Sequence, residues 1–212
     1  MVQLLIALAL LIFFAPFVEE IKGGDLIVSI LLSLVLISAV FAVASRRSTL
    51  IIALLLLIPA LVGRWINYFR PELVPPAIFL TAGLALIAFV VANLLRFVLR
   101  APSVNADVLC ASISAYLMLG LLWTLAYWLV DQLTPGAFSF NTTSETKQTM
   151  AGFNAFYFSF ITLSTVGYGD ITPVSKVARM LAASEAMTGL LYVAVLIARL
   201  VGLYSSPKSN DS

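Results

Sequence analysis

Thr165-Val166-Gly167-Tyr168-Gly169-Asp170 is the stretch around which the chain is organised. Gly167 and Gly169 accept positive φ, which costs other residues dearly. Alternating them with Val166 and Tyr168 lets successive carbonyls point one way while the two side chains point the other. A short apolar stretch, Phe153 to Ser164, precedes it, and a long one, about Ser175 to Tyr204, follows. Gly-Tyr-Gly-Asp alone is also a common turn in ordinary loops. The full hexapeptide in this setting is far rarer.

The surroundings are those of a membrane protein. Of 212 residues, 62% are hydrophobic and 10% charged, against about 25% charged in a soluble domain. Mean hydropathy is +1.08. A net charge of +2 gives no footprint for nucleic acid. The chain has no histidine, which removes His-ligated metals and a His general base. Cys110 is the only cysteine; in its apolar stretch it reads as a small buried hydrophobe. No carboxylate pair and no nucleophile beside a base points to an enzyme.

Apolar runs follow one another along the chain: Val2–Val18, Leu26–Ala44, Leu50–Val62 and Pro75–Leu95. The first lacks a basic leader and a cleavage site, and reads as a retained helix. The third is short and interrupted by Pro59, with Trp65, Tyr68 and Phe69 beyond it as interfacial aromatics. The fourth opens on Pro75-Pro76 and ends at Arg96 and Arg100. Asn105 is a fair N-cap for the fifth, Val108–Val130, where Gly120 and small residues permit close helix approach. The polar stretch 131–150 reads as a loop, and its Asn141-Thr142-Thr143 fits a glycosylation sequon, equally well as a chance match. Phe153 to Ser164 is too short to span the hydrocarbon and reads as a re-entrant helix. Phe156, Tyr157, Phe158 and Phe160 are placed to brace the segment after it.

From Val108 to Tyr204 the chain resembles the pore domain of tetrameric potassium channels, with Thr165-Val166-Gly167-Tyr168-Gly169-Asp170 similar to their selectivity filter. Its layout is similar to the prokaryotic six-helix, voltage-gated-like type. Residues 1–104 match only in the number and spacing of helices. The resemblance implies an all-α membrane protein of six transmembrane helices plus a re-entrant pore helix and filter, assembled as a homotetramer. It divides the chain into a four-helix domain (1–104), a pore domain (105–204) and a disordered tail (205–212). Within the pore domain it implies an outer helix 108–130, turret 131–150, pore helix 153–164, filter 165–170 and inner helix 175–204. Potassium is the permeant ligand, held at Thr165, Val166, Gly167 and Tyr168, with Gly169 completing the filter and carbonyls replacing the ion's water. No cofactor is implied. Asp170 holds the filter from behind, with Tyr157 as its donor on the pore helix, because Ile161 stands where some members carry a carboxylate.

On the inner helix, Gly189 falls at the family's gating hinge, and close packing against the pore helix accounts for it equally well. Leu190, Val193 and Ile197 recur at helical spacing and are placed to line an apolar cavity. Arg199 is expected to snorkel to the interface. Glu185, a modulatory candidate, lies about 15 Å into the helix, where a carboxylate calls for a partner; Ser159 and Thr162 are candidates.

With the filter near the outer face, both termini are cytoplasmic in a multi-pass plasma membrane protein, a bacterial inner membrane being the expected setting. Lys and Arg split evenly between the two sides, so the positive-inside rule does not decide. Lipids, potassium and other copies of the chain are the expected partners, and nucleic acid is not. No charge occurs from Pro75 to Leu95, so the first four helices read as a scaffold rather than a voltage sensor. The alternative function is a non-conducting channel-like subunit or scaffold.

Overall fold

A computed structural model describes residues 1–19, 23–44, 47–70, 72–73, 75–141 and 149–204. The sequon's Thr142 and Thr143, and the tail 205–212, lie outside them. The chain forms α1 (Val2–Glu19), α2 (Gly24–Val43), α3 (Arg47–Phe69), α4 (Pro76–Arg100), α5 (Ala106–Leu133), β1 (Phe138–Phe140), α6 (Phe153–Leu163), β2 (Ile171–Pro173) and α7 (Lys176–Tyr204).

Five helices among the described residues, α2, α3, α4, α5 and α7, are long and apolar enough to cross a membrane. The expected sixth span is α1. Its 18 residues, with Pro16 inside, place it among the shorter apolar helices. At about 1.5 Å per residue it reaches about 27 Å, just under the hydrocarbon thickness.

Several boundaries differ from those read in the sequence. Helix α3 runs straight through Pro59 and takes in Trp65, Tyr68 and Phe69, whose rings pack on one another. A proline deletes one hydrogen bond, and an apolar surrounding leaves the backbone no better alternative than the helix. Helix α5 extends to Leu133, so the loop read over 131–150 begins later. Asn105 caps it, accepting from the Val108 N–H at 2.9 Å. The fold is also not wholly helical. The turret contains β1, which pairs antiparallel with β2 in the register Phe138↔Pro173, Ser139↔Thr172, Phe140↔Ile171.

Helices α1 to α4 pack sequentially, α4 lies along α5, and α1 also touches α5. One hydrophobic core runs without a break from Leu4 and Leu8 of α1 through Leu86 and Val90 of α4 to Met118 of α5 and Leu163 of α6. The turn at 104/105 is therefore no boundary in the packing. A second cluster joins Tyr127, Phe138, Phe158, Ile171 and Ala178, bringing α5, β1, α6, β2 and α7 together.

Arg64 of α3 is drawn into the bundle. Its Nη2 donates to Ser29 Oγ at 3.0 Å, and its guanidinium carbon lies 5.9 Å from the Trp128 ring centre. The stem thus ties α3 to α2 and to α5.

Small residues set the tightest approaches. A Cβ on Gly120 of α5 would lie under 3.0 Å from three carbons of the Phe160 ring. Gly120→Ala therefore forces α5 and α6 apart. It should lower stability by about 1–3 kcal/mol, read by thermal unfolding in detergent. Gly202→Ala, whose added Cβ would meet nothing within 4 Å, is the control without a clash.

Candidate functional site

The site is assembled at the C-terminal end of α6. Positive φ recurs at every second residue: Thr165 (60°), Gly167 (54°) and Gly169 (81°). Two of these are the glycines marked in the sequence. The third is a threonine, the only described non-glycine residue with positive φ, and it bears the steric cost that glycine avoids. Its N–H donates to the Thr162 carbonyl at 2.9 Å. Val166 and Gly167 both donate to the Ile161 carbonyl, at 2.9 and 3.2 Å. The start of the segment is thus folded onto carbonyls that the end of α6 leaves unpaired.

The other end is held by Asn141, which the sequence offered only as the first residue of a sequon in the turret. The Asn141 side-chain amide donates to the Gly169 carbonyl at 2.9 Å, and its backbone N–H donates to the Asp170 carbonyl at 2.7 Å. The β1–β2 pair sets Asn141 there. Asp170 Oδ1 accepts from the Ile171 N–H at 3.0 Å. Its carboxylate also accepts from the Tyr157 hydroxyl of α6.

Of the four α6 aromatics placed in the sequence to brace the segment after it, only Tyr157 is shown bonded to Asp170. Phe158 packs against Tyr127 and Phe138, with ring centres 4.9 and 5.6 Å apart. Phe156 and Phe160 stack on each other at 4.5 Å, and Phe160 covers Gly120. These rings brace α6 against α5 and β1, not the filter directly.

Glu185 is fully buried. Its Oε1 lies 2.6 Å from Ser159 Oγ, on one of the two partners named for it, and Oε2 accepts from the Tyr127 hydroxyl. Ser159 Oγ also lies 2.8 Å from the Gly120 carbonyl oxygen. A single carboxyl thus joins α7, α6 and α5.

Two further polar ties follow along α7. Tyr192 donates to the Ser112 carbonyl at 2.6 Å, and Arg199 Nη2 donates to the Ala101 carbonyl at 2.9 Å. Arg199 is therefore not a free snorkelling side chain. It is partly buried against the α4–α5 turn, because the last carbonyls of α4 have no helical donor. Glu185, Tyr192 and Arg199 are spaced by seven, one stripe of an α-helix. The signal was present as polar residues at a fixed period in an apolar run.

Gly189 lies on the same face and is buried. A Cβ there would collide with the Leu163 carbonyl of α6, which favours close packing as its reason. Leu190, Val193 and Ile197 are 65%, 42% and 56% exposed. At about 100° per residue they lie roughly a quarter-turn or more from the bonded stripe. Val166 and Tyr168 are likewise 52% and 73% exposed.

Comparison with known proteins agrees with this geometry. Residues 117–206 match a family model described as an ion channel. The chain is 31% identical over 98 residues to Protein LctB of Bacillus caldotenax, covering 46% of this chain and 72% of that one. It is 35% identical over 80 residues to Two pore potassium channel c of Oryza sativa subsp. japonica, covering 38% of this chain and 18% of the relative. It is 48% identical over 48 residues to Voltage-gated potassium channel Kch of Escherichia coli K12, covering 23% of this chain and 12% of the relative. The matched part is thus under a fifth of either potassium channel's length. No solved structure matches the chain. The chain belongs to this family of ion channels and is not an enzyme.

Asn141 supplies a test of the outer clamp. Asn141→Asp replaces the amide donor with a carboxylate that only accepts, facing the Gly169 carbonyl. It should lower thermal stability by about 1 kcal/mol, whereas a melting curve identical to wild type would show the contact to be idle.

Proposed function

We propose that this chain forms a potassium-selective channel as a homotetramer, with Thr165, Val166, Gly167, Tyr168 and Gly169 lining the pathway. The observation that carries the reading is the alternation of positive φ at 165, 167 and 169 within a segment held from α6 at 165–167 and from Asn141 at 169–170. Alternating handedness turns successive carbonyls to one side, where they replace an ion's water shell. A single strand covers one side of an ion, and a closed ring of four copies covers the rest. The names of the plant and Escherichia coli relatives agree with potassium as the ion.

The surface of α7 supports the assembly. Met187, Leu190, Leu191, Val195, Ile197 and Val201 are each more than half exposed in one chain. Leu190, Val193 and Ile197 form the face assigned to the inner cavity, and other copies cover the rest. The filter faces outward, with both termini cytoplasmic in a bacterial inner membrane. Purified protein in liposomes should carry potassium far faster than sodium, and Val166 or Gly167 substitutions should abolish the preference. Equal rates for the two ions would overturn the selectivity; no flux of either would favour the non-conducting subunit.

Voltage should not gate this channel steeply. A charge crossing the membrane is worth about 2.3 kcal/mol per 100 mV, and steep gating draws on about three to four charges per subunit. Helix α4 carries no charge before Arg96, and Arg96 and Arg100 are exposed at its end. Open probability in a planar bilayer should vary only weakly with voltage. A steep curve made shallower by Arg96→Gln would refute the scaffold role of the first four helices.

A further inference from the structure

The buried junction of α5, α6 and α7 contains three close oxygen pairs. They are Ser159 Oγ with the Gly120 carbonyl (2.8 Å), Ser159 Oγ with Glu185 Oε1 (2.6 Å), and the Tyr127 hydroxyl with Glu185 Oε2. Each pair needs a proton between its oxygens, because two bare lone pairs at such distances repel. A carbonyl donates nothing, and a hydroxyl has one proton to give. Gly120's carbonyl also takes the Thr124 hydroxyl at 2.8 Å, so it offers no alternative. Tyr127 gives its proton to Oε2. Ser159's single proton serves either Gly120 or Glu185, and one pair is left without a hydrogen.

We infer that Glu185 supplies the missing proton: it is a neutral acid that donates from Oε1 to Ser159, while Ser159 donates to Gly120. The three protons and three pairs then balance. The surroundings agree. Glu185 is 0% exposed, and its bonded partners are hydroxyls rather than cations. Around it face Tyr127 and, farther off, Tyr116 from α5, and Ser159 from α6. Asp131 of α5 is engaged with the Met150 N–H. On α7 itself the nearest cation, Arg179, is six residues away and donates to the Pro173 carbonyl.

Glu185 is thus a positioning residue, acting on the filter through the pore helix. Loss of its proton reverses Ser159, which then donates to the carboxylate. The Gly120 carbonyl loses its partner on α6, and the pore helix loosens from α5. Since α6 carries the filter on its last turn, the arrangement makes the filter's hold sensitive to alkaline pH.

Infrared absorption of the full chain in lipid decides the protonation state, and this readout is independent of conduction. The C=O stretch of a protonated carboxyl should be present at neutral pH, absent from Glu185→Gln and displaced in Ser159→Ala. Absence of the band at neutral pH, or a band that neither substitution alters, would overturn the assignment. Should Glu185→Gln fail to assemble, the displacement in Ser159→Ala alone identifies the group. The switch is read separately by potassium flux in liposomes. Wild type should lose about fivefold on moving to alkaline pH, the value of one hydrogen bond. Glu185→Gln, whose amide donates to Ser159 and whose carbonyl accepts from Tyr127, should keep its flux. An equal loss in both proteins would overturn the switch. Absence of flux in either protein at any pH would count against the conduction reading and leave the infrared result standing.

Discussion

A backbone whose carbonyls must remain free for a ligand cannot be held by its own hydrogen bonds. At membrane depth it has no water to lean on either. We propose that 165–168 is such a backbone: it is held from its ends, and the Gly169 carbonyl is already taken by Asn141. One end is folded onto the Ile161 and Thr162 carbonyls of α6, and the other is tied to Asn141. The β1–β2 pair exists in that context: three residues of strand on each side are enough to bring the turret to the end of the filter. Everything that positions α6 therefore positions the segment 165–169.

Three devices position α6. Phe160 seats on Gly120, the Leu163 carbonyl seats on Gly189, and Glu185 bonds Ser159. Two are absences of a side chain and one is a buried polar node. The combination has a physical logic. Close packing fixes distance but permits sliding along the helix, whereas a hydrogen-bonded node in a low-dielectric interior fixes register. Tyr192 and Arg199 extend the same function down α7, so that the inner helix is bonded along one stripe and apolar on the others.

The parts legible in the sequence were those written in contiguous residues. The hexapeptide, the short helix before it and the long apolar helix after it needed no partner to be read. The rest depended on register between distant elements. Three-residue strands such as β1 lie below any periodicity signal. Asn141 read as a turret residue because its partner, Gly169, is 28 positions away. Tyr127 was missed for the same reason: nothing local marks it as the second ligand of Glu185. Pro59 suggested a break in α3, but local proline chemistry yields where the apolar surrounding makes the helix the only satisfied backbone. Arg199 read as a snorkelling charge by position, and is instead held at the Ala101 carbonyl; Arg64 is drawn onto Ser29 and Trp128.

The first four helices are bound into the pore more tightly than a layout of two domains suggests. Their apolar core is continuous with that of α5, and Arg64 adds a polar tie from α3 to α2 beside Trp128 of α5. A helix that moves in response to a field needs charge to feel the force and a weakly packed, wetted surface to slide on. Helix α4 carries charge only at its end, at Arg96 and Arg100, and its buried face, including Leu80, Leu86, Ile87, Val90 and Leu94, is apolar and lies against its neighbours. Sliding it by one turn would expose that face and break the knobs seated beside Gly63 and Gly83. Helix α5, packed against α1 and α4, meets α6 and α7 at Gly120, where Phe160 rests, and at Tyr127 and Ser112, which bond Glu185 and Tyr192. The turn before it holds Arg199 at the Ala101 carbonyl. The first four helices are thereby tied through α5 to α6 at one end and to the far end of α7 at the other.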